Sequence, residues 1–311
     1  MTSIVPRAEP EPDWKVVRRN IKWLWPFHYL TFGSSCLVLS LFSLRCIYRI
    51  INTKKKTSKR YFMTVASLLL IFGLTRGLYL LLDPYGSHVH FNLPTVAEAI
   101  LRGVAYPCLT SSFTLVFLSL LDVTKFQLFP RGVQRIRVVA PILTLHFVIV
   151  TCSDVAGTVF SSAVLTTAIC RAVFLLWGVF VFSSFLYAGV RLFNTFSSIS
   201  GRLQDITAER RKLRRVQKRF GRCLPRVCKL TSIASLLGLV LCGLQVYSLH
   251  QMYRYLYISY ITEEGKLWEW WICESLYRVT ELAMGAFLCC IVHVPSKHKP
   301  HHVLSKEVAT K

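Results

Sequence analysis

Arg76, Glu98, Arg102, Asp154, Arg171, Glu274, Arg278 and Glu281 are charged side chains set inside long apolar runs of a 311-residue chain. An ionisable group within a membrane-crossing segment is costly, and normally faces a bundle interior or a water-filled cavity. Here arginines and acids are equal in number, as expected if they neutralise one another. Glu98–Arg102 and Glu274–Arg278 have i,i+4 spacing with the acid first, the favourable order on a helix, and Arg278–Glu281 has i,i+3 spacing. Such a set supports two kinds of chemistry. One is a polar cavity that binds a small charged ligand or passes an ion. The other is an ionic network that only sets helix packing, since paired charges persist without a ligand.

The elements that must position these groups are apolar runs at about 26–48, 61–82, 95–121, 138–159, 164–192, 230–253 and 268–294. Each has roughly the 17–25 residues needed to cross the hydrocarbon core, or slightly more. Within a bilayer each must be helical, because its backbone groups have no water to bond. The expected fold is therefore an all-α membrane protein, a bundle of seven transmembrane helices. The chain is 53% hydrophobic and only 17% charged, where soluble domains carry about a quarter charged residues.

Orientation follows from the connector 191–229. It holds twelve Lys or Arg, counting Arg191, against Asp205 and Glu209. The other loops on its side hold six and four, and the tail holds four; the opposite loops hold none, none and two. Under the positive-inside rule the basic set stays in the cytoplasm. The leader dissents, with five basic residues. The loops outvote it, placing the N-terminus outside and the C-terminus inside. The expected organisation is a short N-terminal tail over 1–25, a membrane domain over 26–294, and a cytoplasmic tail over 295–311. With this orientation Arg76, Glu98, Arg102, Asp154, Arg171 and Glu274 lie in the outer half, and Arg278 and Glu281 nearer the middle.

The net charge of +23 sits in loops between apolar runs, which points to an anionic inner leaflet rather than to nucleic acid. Ile206 to Arg222 is good helix-forming sequence. Its Arg210, Arg211, Lys212, Arg214, Arg215, Lys218 and Arg219 make a candidate surface for anionic lipid or a cytoplasmic protein partner. Topogenic charge alone also explains that composition. Cys223 and Cys228 in this connector, with Cys289 and Cys290 at the end of the last run, are candidate palmitoylation sites. The eleven cysteines fall mostly in apolar runs or beside basic loops, so no disulfide framework is expected.

No Gly-rich phosphate loop, His-Glu-x-x-His pattern or Gly-x-Ser-x-Gly elbow is present. His301 and His302 are too few for a metal site, and no cofactor is expected. Glu274 and Glu281 share a helix face, but Arg278 between them favours ion pairing over acid–base catalysis. A lone His146 reads as a packed residue. Pro107 and Pro141 are candidate kinks. Thr110, Ser111, Ser112 and Thr114 read as small residues at a close helix contact. No internal repeat points to a transporter built from related halves.

Seven helices with an outside N-terminus match the G-protein-coupled receptors in architecture only. The chain reads Leu120 to Phe126 (LLDVTKF) after the third run and Cys289 to Pro295 (CCIVHVP) after the seventh, without the rhodopsin-like signatures. A more specific match lies in RGLYLLLDPYGSHVHFNLP, from Arg76, and YPCLTSSFTLVFLSLL, from Tyr106. The turn Asp83, Pro84, Tyr85, Gly86 and the string Pro107 to Ser111 carry it. This stretch resembles the membrane domain of the proline-rich transmembrane proteins of types three and four. The chain departs from that family in lacking a long proline-rich ectodomain, its twelve prolines being scattered. The resemblance implies a multi-pass membrane protein with no established enzyme activity. Three readings remain. The first is an orphan, receptor-like, non-enzymatic protein with an outer polar pocket and a basic cytoplasmic partner surface, its ligand unknown. The second is a small-solute transporter or channel using the intramembrane charges, and the third a structural scaffold.

Overall fold

The computed structural model describes residues 14–52, 59–87, 91, 93–124, 136–160, 164–206, 229–250 and 264–293. Its elements are α1 (Trp14–Asn20), α2 (Leu24–Ile51), α3 (Lys59–Leu82), a 3₁₀ turn (Pro84–Gly86), α4 (Thr95–Gly103), α5 (Ala105–Thr124), α6 (Ile136–Val159), α7 (Val164–Ile206), α8 (Lys229–His250) and α9 (Glu264–His293). There is no strand among the described residues. Counting α4 and α5 as one broken span, seven helices are long and apolar enough to cross a membrane.

The distribution of apolar surface is that of a protein solvated by lipid. Leu176 is 71% exposed and Leu41 65%, while Arg76, Glu98, Asp154, Arg278 and Glu281 are buried. A soluble protein buries its large apolar groups and leaves charges in water. In hydrocarbon the interior is instead where charged groups find partners.

Packing starts with α2 against α3. The inward face of α2 runs through Trp25, Tyr29, Gly33, Cys36, Ser40 and Ser43, the stripe expected of a helix packed on one side. It meets Gly73 and Gly77, a Gly-x-x-x-Gly pair on α3. A Cβ on Gly73 would lie 2.6 Å from the Cys36 carbonyl oxygen, and one on Gly77 2.8 Å from Leu37 Cδ2. Small residues let the two backbones approach, which drives helix association in lipid, where hydrophobicity alone does not. Arg76 sits between these glycines and is drawn into the interior with them.

The second half packs through aromatic rings. Phe117 stacks on Phe185 at 3.8 Å between centroids, and Phe113 lies 5.1 Å from both Phe182 and Phe185, joining α5 to α7. Phe182 also fills the space over Gly238 of α8. Leu39, Leu69, Phe72, Met284 and Leu288 extend this core to α2, α3 and α9.

The third apolar run is two helices. α4 stops at Gly103 and α5 starts at Ala105. Pro107 has no N–H to give to the residue four positions back, Gly103, and its ring crowds that carbonyl. The break stands where that missing bond would be. Pro141 lies inside α6, which continues helical to Val159. At the other end of the chain's membrane half, α7 runs past its apolar stretch to Ile206, so the first part of the basic connector continues that helix. Residues 14–25, within the segment read as a tail, form α1 and the start of α2, and Val17, Ile21 and Trp25 there are buried.

Candidate functional site

Arg278 is a hub of the buried charges. On α9 it reaches acids one helical turn away on both sides: Nη2 donates to Glu274 Oε2 at 2.9 Å and Nη1 to Glu281 Oε2 at 2.7 Å. Glu281 turns its other oxygen to α3, where Arg76 Nη2 donates to Oε1 at 2.5 Å. One carboxylate thus bridges two guanidinium groups on two helices. Glu281 is 1% exposed, and a charge so buried is tolerable only with its lone pairs satisfied.

Arg278 gives its third donor, Nε, to the Tyr85 hydroxyl at 3.0 Å. Its guanidinium also lies 5.4 Å from the Tyr85 ring centre and 5.2 Å from that of Tyr277, within cation–π range. Tyr85 is positioned by an unusual backbone. Its φ of 58° and ψ of 29° are left-handed, a conformation that Gly86 follows with φ 69°. A bulky residue held there costs of order 1–3 kcal/mol and persists only when its surroundings over-determine it. The surroundings here are explicit. Tyr85 OH lies 3.0 Å from His28 Nε2, and His28 Nδ1 lies 3.0 Å from Ser275 Oγ. The phenol oxygen accepts from Arg278, so its own proton is available to His28 Nε2, leaving Nδ1 as the donor to Ser275. The family-type turn Asp83, Pro84, Tyr85, Gly86 is buried throughout, and ties α2, α3 and α9 at one point.

Aromatic rings close the same end. Trp25 lies 5.6 Å from Tyr85, 5.3 Å from Trp14 and 6.0 Å from Trp270. Through Trp14 and Val17, α1 packs against this cluster, with Ile21 just beyond its end. Trp23, by contrast, is exposed.

On the other side of Arg76 the helices separate around a cavity of about 140 Å³. Arg76 of α3, Arg102 of α4, Asp154 of α6, Arg171 of α7, and Glu274 and Arg278 of α9 line it, with Tyr106, Phe174, Gln245, Ser248 and Tyr277. Arg171 Nη2 donates to Asp154 Oδ1 at 3.1 Å. Asp154 reaches this wall because Gly103 makes room: a Cβ there would lie 2.5 Å from Asp154 Oδ2. Gln245 Nε2 donates to the Tyr277 hydroxyl at 3.2 Å, bringing α8 into the wall. His146 is buried beside this region and stacks on Phe174 at 4.6 Å.

Of the charges singled out in the sequence, Glu98 and Glu281 are buried but stand outside the cavity wall, Glu281 behind it as the bridge. Arg210, Arg211, Lys212, Arg214, Arg215, Lys218 and Arg219, with Cys223 and Cys228, lie outside the described residues. Cys289 is buried, its sulfur 3.3 Å from Ser43 Oγ, whereas Cys290 is on the exposed face. An acyl chain has space at Cys290 and none at Cys289. Among the described residues there is no cluster of His, Cys, Asp and Glu able to hold a metal ion.

Sequence reasoning passed over His28, Tyr106, Gln245, Ser248, Ser275 and Tyr277. Each is an uncharged polar group in an apolar run, a weaker signal than a charge. His28 was nonetheless findable, as a histidine between Phe27 and Tyr29 at the head of a span. The Gly73-x-x-x-Gly77 pair flanking Arg76 was also on view.

Buried ionic residues among lipid-facing apolar helices define a multi-pass integral membrane protein. More particularly, the chain belongs to the family of the proline-rich transmembrane protein 3 domain, whose model matches residues 3–305, nearly the whole chain. No curated protein matches it.

Proposed function

We propose that this protein is a receptor-like, non-enzymatic membrane protein that binds a small charged ligand in the cavity beside Arg76. One observation carries the reading. Charged residues from α3, α4, α6, α7 and α9, far apart in sequence, line a single cavity large enough for a ligand. The cavity is lined near the ends of helices that adjoin the loops poorest in Lys and Arg, which supports an outward-facing site. The N-terminus is then outside and the C-terminus inside, with connector 191–229 facing anionic lipid or a cytoplasmic protein partner.

The experiment is a thermal-stability screen of the purified full chain in lipid nanodiscs. A ligand of the cavity raises the unfolding temperature, because binding only the folded state shifts the equilibrium. Arg102→Leu and Glu274→Gln each abolish the rise. Charge-dependent flux in proteoliposomes would make the protein a transporter instead. If nothing binds or moves, and neutral substitutions only lower folding yield, the charges serve as a scaffold. Tags on each terminus, tested in intact and permeabilised cells, check the orientation. Both termini on one side would remove the outward-facing cavity.

A further inference from the structure

We infer that α7 carries a docking surface where it projects from the membrane, and that its occupant is the chain's own segment 213–227, folded back along α7 as an antiparallel helix.

The projection follows from the packing of α7 inside the bundle. Thr167 Oγ1 donates to the Ser153 carbonyl oxygen, and Phe174 stacks on His146. Both pairs set α6 antiparallel to α7, with Ile136 level with Ser184. Phe182 lies on Phe113 and Phe185 on Phe117, so the end of α5 at Thr124 is level with Leu192. A Cβ on Gly178 would lie 3.2 Å from Cys242 Sγ, and one on Gly238 would strike Phe182. These contacts set α8 antiparallel, with Lys229 level with Arg191. Residues 193–206 of α7 therefore run on past the described ends of α5, α6 and α8. At 1.5 Å per residue that projection is about 20 Å long. The apolar span itself ends at Arg191 after 27 residues, more than the hydrocarbon core requires.

The projection carries an apolar stripe. Leu192, Phe196, Ile199, Leu203 and Ile206 recur at steps of four, three, four and three, which places them along one side of a helix. By register the stripe continues the line Gly178, Phe182, Phe185 and Gly189, the side turned to α5 and α8 within the bundle. Asn194, on the opposite side, is exposed. Outside the hydrocarbon such a stripe needs a cover. It lies on the bundle side of α7, away from a second copy approaching through lipid.

The chain itself supplies the cover. It leaves α7 at Ile206 and resumes as α8 at Lys229, so residues 207–228 must return those 20 Å or so on the same side of the membrane. Continuing the pairing of Gly178 with Cys242 and Phe182 with Gly238, one step back for each step on, brings positions 228, 224, 221, 217 and 214 opposite the five stripe residues. Val227, Leu224, Phe220, Val216 and Leu213 stand at those positions or one place away. All six Lys and Arg between 213 and 227 fall off this second stripe, as suits a helix with its apolar side on α7 and its charges in water. Residues 207–212 remain for the turn, within the usual span of about two to eight for a helix–helix connection. Pro225 follows Gly221 at the spacing of Gly103 and Pro107, where α4 breaks from α5, and interrupts the returning helix in the same way. A second copy in the same bilayer would offer its α7 parallel, not antiparallel.

The test is disulfide cross-linking of the full chain in proteoliposomes, with copper phenanthroline as oxidant and Cys223→Ser and Cys228→Ser in the parent. Leu203→Cys with Val216→Cys should bridge within one chain about tenfold faster than Leu203→Cys with Arg215→Cys, because a disulfide needs its Cβ atoms about 4 Å apart. Equal rates for the two pairs would overturn the docked helix. Bridges between chains in the single variant Leu203→Cys would give the face to a second copy and overturn the assignment. Hydrogen exchange adds an independent reading. Leu203→Arg should speed amide exchange over 213–224 about tenfold or more, while Ser198→Arg, the same charge on the polar side, should not. Exchange there that is unprotected in the parent, or unchanged by Leu203→Arg, would also overturn the inference. The cross-links decide it even if Leu203→Arg folds poorly.

Discussion

The two sides of Arg76 use the same residue types to opposite ends. Toward α9 and the Tyr85 turn, every charged atom of Arg278 has a partner and Glu281 bridges two helices. Toward α6 and α7, the pair Asp154–Arg171 stands beside open space, and Arg171 keeps 27% of its side chain exposed. A closed network orders helices, because no alternative arrangement satisfies its buried charges. An open one leaves interaction capacity for something else. The difference lies less in which residues are present than in how closely the helices close around them.

The comparison can be broken first on the closed side. Glu281→Gln leaves Arg76 and Arg278 facing an amide where both had a carboxylate. Removing one partner of a buried ionic set costs about 3–5 kcal/mol, so reversible unfolding in micelles should show a loss of that order. A loss under about 1 kcal/mol would mean that the network does not hold the fold, and the contrast would collapse.

Tyr85→Phe comes next. It takes away the oxygen shared by Arg278 and His28, and should cost about 1–3 kcal/mol for the groups left unsatisfied. A neutral result in the same unfolding measurement would make the left-handed tyrosine backbone a matter of ring packing alone.

A change outside both sites sharpens the contrast through α2 and α3. Gly73→Ala puts a methyl 2.6 Å from a backbone carbonyl, so the helices must separate. The expected cost is in the lower part of about 1–3 kcal/mol. Gly243→Ala is the matched control, having nothing within 4 Å of the added carbon, and should raise stability by up to about 1 kcal/mol through helix propensity. Equal effects of the two substitutions would remove the case for the glycine contact.

The smallest effect on folding belongs to the open side. Arg171 is partly exposed and Gln keeps an amide donor opposite the buried Asp154 carboxylate, so Arg171→Gln should cost about 1 kcal/mol, the low end for an imperfectly satisfied buried acceptor. Its consequence should appear in ligand response rather than in unfolding of the empty protein. If Arg171→Gln destabilises as much as Glu281→Gln, both sides are structural and the cavity loses its claim.

How much was legible beforehand depended on distance along the chain. Glu274, Arg278 and Glu281 could be grouped by helical spacing, and the contacts of Arg278 with both neighbours follow it. Arg76–Glu281 could not, since those residues are 205 positions apart. The resemblance in Arg76 to Leu121 pointed to the family that matches residues 3–305. It did not say that the tyrosine of its turn adopts a left-handed conformation to reach Arg278. Pro107 was visible as a candidate kink, and the break three residues earlier follows from the carbonyl that its ring excludes.

Sequence alone determined the membrane-crossing helices and the balance of their charges. Hydropathy and helical spacing act over one or two dozen consecutive residues, and uniformly apolar runs of that length can satisfy their backbone in lipid only as helices. Tertiary structure alone decided which arginine met which acid. Those outcomes depend on how α3, α6, α7 and α9 lie against one another, and that arrangement is set by small residues such as Gly73 and Gly103, where backbones or a facing carboxylate come close enough to exclude a methyl group.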